Sequence, residues 1–175
     1  MKRKIVTIIM ILVCFLLETT LFPHLALASI KPNLLLVLTA SFGFMRGKKE
    51  GMFVGFISGL MLDIFFGVGN MLGFYALIYT LIGYVNGFFK HLFYDEDIKL
   101  PLALISASEL LYGVIMYVCI FLMRSKFDFV YYLLHVIMPE LLYTLLITLV
   151  LYQIVLHINR RLENEEKRSA SKFVG

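Results

Sequence analysis

Six apolar runs occupy most of the chain, from about Ile5 to Phe22, Asn33 to Met45, Met52 to Phe66, Met71 to Phe89, Leu100 to Met123 and Phe129 to Ile158. Each is bounded by charge, proline or glycine, the pattern of membrane-spanning helices that must close their own backbone hydrogen bonds where no water does so. With 61% hydrophobic and 16% charged residues, the 175-residue chain holds more apolar surface than a water-soluble domain can bury. The expected fold is an all-α integral membrane protein, with about six transmembrane helices in one compact bundle over 1–158 and a charged cytoplasmic tail over 159–175. The second and third runs are short. At 1.5 Å rise their 13 and 15 residues reach only ~20 to 22 Å of a ~30 Å hydrocarbon core, which suggests a tight hairpin or a locally thin region.

Charge gives the orientation. With the N-terminus in the cytoplasm, the inner segments hold Lys2, Arg3, Lys4, Arg46, Lys48, Lys49, Lys90, Lys99, Arg160, Arg161, Lys167, Arg168 and Lys172, thirteen of the sixteen basic residues. Only Lys31, Arg124 and Lys126 remain outside, so both termini are expected in the cytoplasm of a multi-pass protein. The net charge of +4 is thus a topology signal, and no nucleic-acid partner is indicated. Lys2 to Leu17 with the Ala26-Leu27-Ala28 triplet also resembles a secretory signal peptide. Removing it would leave the basic tail on the wrong side, so the segment is expected to remain as the first span.

Small residues recur at four-residue spacing: Gly47, Gly51, Gly55 and Gly59, then Asp63, then Gly67. Glycines four apart share a helix face and let a second backbone approach, a main source of helix association in lipid. With Gly73, and with Gly83 and Gly87 on the fourth run, they are candidates for helix packing inside the bundle or for a partner interface.

Four acids lie within apolar runs: Glu18, Asp63, Glu109 and Glu140. A carboxylate at the bilayer centre costs on the order of 2.5 to 3.5 kcal/mol, so each should face the bundle interior, a wet cavity or a partner. Glu18 and Asp63 fall near the outer ends of their runs, within reach of headgroup water. Glu109 falls near mid-membrane, and Glu140, after helix-bending Pro139, is intermediate. Without an intramembrane Lys or Arg, structural hydrogen bonding is favoured over a proton relay. Cys14 and Cys119 sit in apolar runs, and His24, His91, His135 and His157 are dispersed, so neither a disulfide nor a metal site is indicated. Gly67-Val68-Gly69 is a turn rather than a phosphate loop, and no cofactor or nucleophile motif is present. Tyr94, Phe127, Phe129, Tyr131 and Tyr132 cluster at run edges, as interfacial aromatics do.

Lys31-Pro32-Asn33-Leu34-Leu35, Arg46-Gly47, Gly51, Gly55-Phe56, Gly59-Leu60, Asp63, Gly67, Gly69, Gly73 and Tyr79 follow an order that resembles the rod shape-determining MreD family. The resemblance implies a cytoplasmic-membrane subunit of the cell-elongation complex that organises lateral peptidoglycan synthesis and has no catalytic residues. Its implied partners are an MreC-like bitopic protein, the MreB system, RodA and a penicillin-binding transpeptidase, alongside membrane lipid. It also implies a fold similar to the substrate-binding subunits of energy-coupling-factor transporters. The alternative is such a subunit of a vitamin-type transporter, supported by short-looped spans of which two are short or glycine-interrupted.

Overall fold

The computed structural model describes residues 2–23, 31–67, 72–92, 98–121 and 129–174, without the side chains of 120, 121, 129 and 168–174. His24, the Ala26-Leu27-Ala28 triplet, Gly69, Tyr94, Arg124, Lys126 and Phe127, and the Phe129 side chain, lie outside the described residues. The described chain is helical and turning throughout. Helix α1 (Lys2–Leu16) runs into a π turn (Leu17–Leu21); α2 is Leu34–Arg46, α3 is Lys48–Phe66, and α4 (Phe74–Asn86) ends in a 3₁₀ turn (Gly87–Leu92). Helix α5 (Lys99–Met116) ends in a second π turn (Tyr117–Phe121), and α6 (Phe129–Tyr132) passes through a third (Leu133–Ile137) into α7 (Met138–Val174). The third π turn has a local cause, because Pro139 has no N–H for the carbonyl one turn back and the ladder widens just ahead of it. Helix α7 then crosses the expected 158/159 boundary without a break.

Among the described residues three stretches are long and apolar enough to cross a membrane: Lys2–Leu21, Lys99–Cys119 and Val130–Lys167. Their outward faces suit that setting. On α7, Leu142, Leu146, Val150 and Ile154 recur every four residues and are 62%, 67%, 63% and 49% exposed, an apolar stripe that belongs against lipid.

Helix α2 has a different position. All thirteen of its residues are buried, and it packs against α1, α3, α4, α5 and α7. Leu35, Leu36, Leu38 and Phe42 join Ile11 and Phe15 of α1, Val54 of α3, Tyr79 and Ile82 of α4, Ile105 of α5 and Tyr152 of α7 in one apolar core. The shortness of the second run therefore has a reason other than a thin membrane. A helix enclosed by helices does not face hydrocarbon, so the bilayer does not set its length.

One residue connects α2 to α3. Gly47 has φ +96°, a left-handed value that disfavours any side chain; its N–H closes α2 on the Gly43 carbonyl (2.8 Å) and its carbonyl opens α3 on the Gly51 N–H (2.9 Å). Lys48, Lys49 and Glu50 continue as helix, so α3 has 19 residues and reaches ~28 Å, longer than its apolar run implied.

The glycine stripe of α3 lies against α4. A methyl group on Gly55 would fall on the Tyr79 carbonyl, and one on Gly59 would come within 2.5 Å of the Ala76 Cα. Gly51 and Gly83 oppose each other backbone to backbone, and Gly43 of α2 enters the same junction, its added Cβ 2.6 Å from the Gly83 oxygen. Gly87 meets the backbone of Gly47 and Lys48 in the same way. Gly43 escapes a search for four-residue spacing along one helix because its partners lie on two others. Gly67 and Gly73 are outside this seam: Gly67 terminates α3, and Gly73, at φ +102°, has open space where a side chain would go and serves as a turn residue.

Backbone cannot move aside as a side-chain tip can, so even one methyl group must separate the helices. Gly51→Ala and Gly83→Ala are each expected to destabilise the protein by about 1–3 kcal/mol, read as a lowered thermal midpoint in detergent. Gly73→Ala should act only through its turn geometry and leave the α3–α4 spacing intact, as a pair of spin labels on the two helices would report.

Candidate functional site

Buried helix N-termini create an obligation, because the first amide groups of a helix have no partner of their own. At α2, Asn33 accepts from the Leu36 N–H (3.1 Å) and Glu18, from the π turn after α1, accepts from the Leu35 N–H (3.1 Å). The Asn33 Oδ1 also accepts from the Tyr79 hydroxyl (2.7 Å), while its own N–H donates to the Thr144 hydroxyl (3.2 Å), linking α2, α4 and α7. Pro32-Asn33 ahead of an apolar run is a recognisable start signal. The borrowed carboxylate of Glu18 leaves no trace in sequence.

Helix α4 shows the same device. Its cap position is Gly73, which has no side chain, and Asp63 of α3 fills the role, with Oδ1 accepting from the Tyr75 N–H (3.0 Å) and Oδ2 from the Ala76 N–H (2.8 Å). Asp63 is 2% exposed. The expectation that Asp63 merely reaches headgroup water is thereby corrected, since it turns inward to helix amides; Glu18, half-buried, caps α2 from its own turn, and at both helices a negative charge meets the positive end of the dipole.

Arg46 needs a second correction. The sequence reads it as a loop-edge charge, yet it is 6% exposed. Its Nε donates to Asn159 of α7 (2.6 Å), Nη1 donates to Thr7 of α1 (2.8 Å), its guanidinium lies 4.1 Å over the Phe42 ring, and Glu50 of α3 stands 3.9 Å away. A cation at the C-terminal end of α2 complements the dipole of a helix whose other end carries Glu18.

Between the two acid-capped ends lies a cavity of about 210 Å³, bounded by Glu18, Lys31, Tyr75, Tyr79, Tyr112 and Glu140, with Leu62 and Phe66 as apolar wall. The Tyr79 and Tyr112 rings meet edge to face at 5.8 Å. Glu18 and Glu140, 122 positions apart in sequence, thus come together. Glu109 sits one helical turn before Tyr112, 3% exposed, beside Thr144 of α7 and within electrostatic range of Glu140 and Glu18. Of the four acids, three therefore gather around the cavity and Asp63 stands apart as a cap. Lys31 and Tyr79 belong to the motif block and Tyr75 and Tyr112 carry no sequence signal, and that the four share one cavity was not legible because tertiary packing brings them together. Among the described residues no three His, Cys or carboxylate side chains converge as metal ligands.

The family model for rod shape-determining protein MreD matches residues 1–162, all of the helical bundle. The chain belongs to the MreD family. No curated protein and no solved structure matches it. MreD is a shape-determining family of membrane proteins rather than an enzyme family, and the motif block that carries the resemblance now has a physical content in this MreD protein. Asn33 and Asp63 are helix caps, Arg46-Gly47 closes α2 and turns into α3, and Gly51, Gly55 and Gly59 meet α4.

Because both Asp63 oxygens accept, Asn at this position has one acceptor too few and places an amide donor against a backbone N–H. Asp63→Asn is expected to lower stability by about 1–2 kcal/mol despite its matched size. Thermal unfolding in detergent measures this, and an unchanged midpoint would show that α4 does not depend on the borrowed cap.

Proposed function

We propose that the protein is a non-catalytic subunit of the bacterial cell-elongation complex, holding lateral peptidoglycan synthesis in register through helix contacts with partner membrane proteins. The observation that carries this reading is the family match over residues 1–162. Its proposed partners are an MreC-like bitopic protein and, through it, the MreB system, RodA and a penicillin-binding transpeptidase. The enclosed α2 and the glycine seam support a rigid body whose outer apolar faces remain free for lipid and partner helices.

The six-span topology with cytoplasmic termini is part of the same proposal. Arg3 pairs with Glu166 at 3.1 Å, Arg46 joins Thr7 to Asn159, and Gly47 lies against the Lys90 stem. These contacts bring the start of α1, the α2–α3 turn, the end of α4 and the tail to one end of the bundle, the end richest in Lys and Arg. That grouping supports an even number of crossings with residues 159–175 inside.

The transporter reading draws on the cavity. At about 210 Å³ it is smaller than the ~300–1,000 Å³ of typical small-molecule pockets, a poor match for a vitamin and adequate for a small polar group.

Depleting the protein is expected to turn rods into round or swollen cells that still divide, with loss of co-purification of the cell-wall partners. Rods that persist after complete depletion while vitamin uptake fails would transfer support to the transporter reading. In a cysteine-free background, a membrane-impermeant thiol reagent should label Lys31→Cys from outside the cell and leave Glu163→Cys unlabelled until the membrane is opened. The reverse pattern would overturn the topology.

A further inference from the structure

The cavity carries chemistry that a helix scaffold does not require. Carboxylates of Glu18 and Glu140 line it, Glu109 of α5 lies within electrostatic range of both, and Lys31 is the only cation among the lining residues. Three acids within range of one another face a single lysine, and negative charge inside a membrane protein is costly unless it is balanced, so this is a place where a positive charge is to be received. Glu18 uses one oxygen to cap α2, and that bond holds its carboxylate at the cavity wall.

Which cation fits follows from the rest of the lining. A hard metal ion demands several oxygen ligands converging at short range, and among the described residues no such group is assembled. Three tyrosines line the cavity instead. Tyr79 is held by its hydrogen bond to Asn33 and stands edge-on to Tyr112, a fixed aromatic wall of the kind an ammonium group packs against. The volume admits a group of a few heavy atoms. The cavity also lies at the Glu18 end of α1, opposite the Arg3–Glu166 pair. Two of the three π turns adjoin this region: one carries Glu18 and another precedes Glu140 by three residues, and such turns are frequent at functional sites.

We propose that this cavity binds a primary alkylammonium group, held by the Glu18 and Glu140 carboxylates and packed against the faces of Tyr75, Tyr79 and Tyr112. The group can come from the ethanolamine headgroup of a membrane lipid or from a free small amine. This site is separate from the shape-determining role and stands or falls independently of it.

The test uses the full chain in nanodiscs of phosphatidylglycerol, which has no ammonium group, in an amine-free phosphate buffer. Ethanolamine is titrated while tyrosine fluorescence and the thermal midpoint are followed; the chain contains no tryptophan to mask that signal. A second set of nanodiscs contains phosphatidylethanolamine. Saturable binding of ethanolamine, absent for neutral ethylene glycol, is expected. If phosphatidylethanolamine occupies the site, those nanodiscs should raise the midpoint and abolish the free-amine response; if the response survives there, the site takes free amines. Either result supports the ammonium site.

Glu140→Gln should weaken binding about tenfold or more, the loss of one charge-assisted hydrogen bond. Lys31→Ala, at an exposed position that threatens no packing, should strengthen it by removing a competing cation. The opposite directions keep the proposal falsifiable even if Glu140→Gln fails to fold. No saturable response in either nanodisc, an equal response to ethylene glycol, or weaker binding in Lys31→Ala would each overturn it.

Discussion

A helix that begins inside a membrane protein exposes amide groups where no water can reach them, and the architecture around α2 and α4 is organised by that requirement. Both helices take a carboxylate from the element preceding them in the chain: Glu18 for α2 and Asp63 for α4. An unsatisfied buried amide costs about 1–3 kcal/mol, so two helices with several open amides would not start there unaided. The caps do more than satisfy donors. Each joins two elements, and Asn33 adds Tyr79 and Thr144 to the same network.

Close approach is the other organising element. In lipid the exclusion of apolar surface from water no longer draws helices together, and backbone proximity with dispersion contacts takes over. The convergence of Gly43, Gly51 and Gly83 brings three helices to a single junction, and Gly55 and Gly59 extend it along α3. Polar groups secure the two ends of this packed unit, Arg46 with Thr7 and Asn159 at one and the acid caps at the other. The centre is therefore held by geometry that tolerates little change in side-chain size, while the outer faces of α1 and α7 carry apolar residues that lipid accepts.

Membership in the MreD family and the physical organisation of the bundle bear on each other. The enclosed α2 and the glycine seam give this MreD-family protein a closely packed centre. The acid- and tyrosine-lined cavity is a separate feature at the opposite end from the basic cluster, built from the π turn after α1, the segment leading into α2, and α3, α4, α5 and α7 together.

The apolar runs, their lengths and the four-residue glycine spacing determined by themselves that the chain is helical, that it belongs in a membrane, and which face of α3 a backbone approaches, because helical periodicity and the absence of water in lipid leave few alternatives. The motif order from Lys31 to Tyr79 sufficed for the family. Which helix is enclosed was not legible: α2 and α4 are both apolar and short, and only the arrangement of their neighbours separates the buried one from the half-exposed one. Nor were the roles of the charged residues. Glu18, Asp63 and Arg46 each looked able to reach an interface, and their inward positions depend on helix ends contributed by other segments. Periodicity reports the face of a residue's own helix, whereas a cap, an ion partner or a cavity wall is a relation between helices, and that relation exists only once the chain has packed.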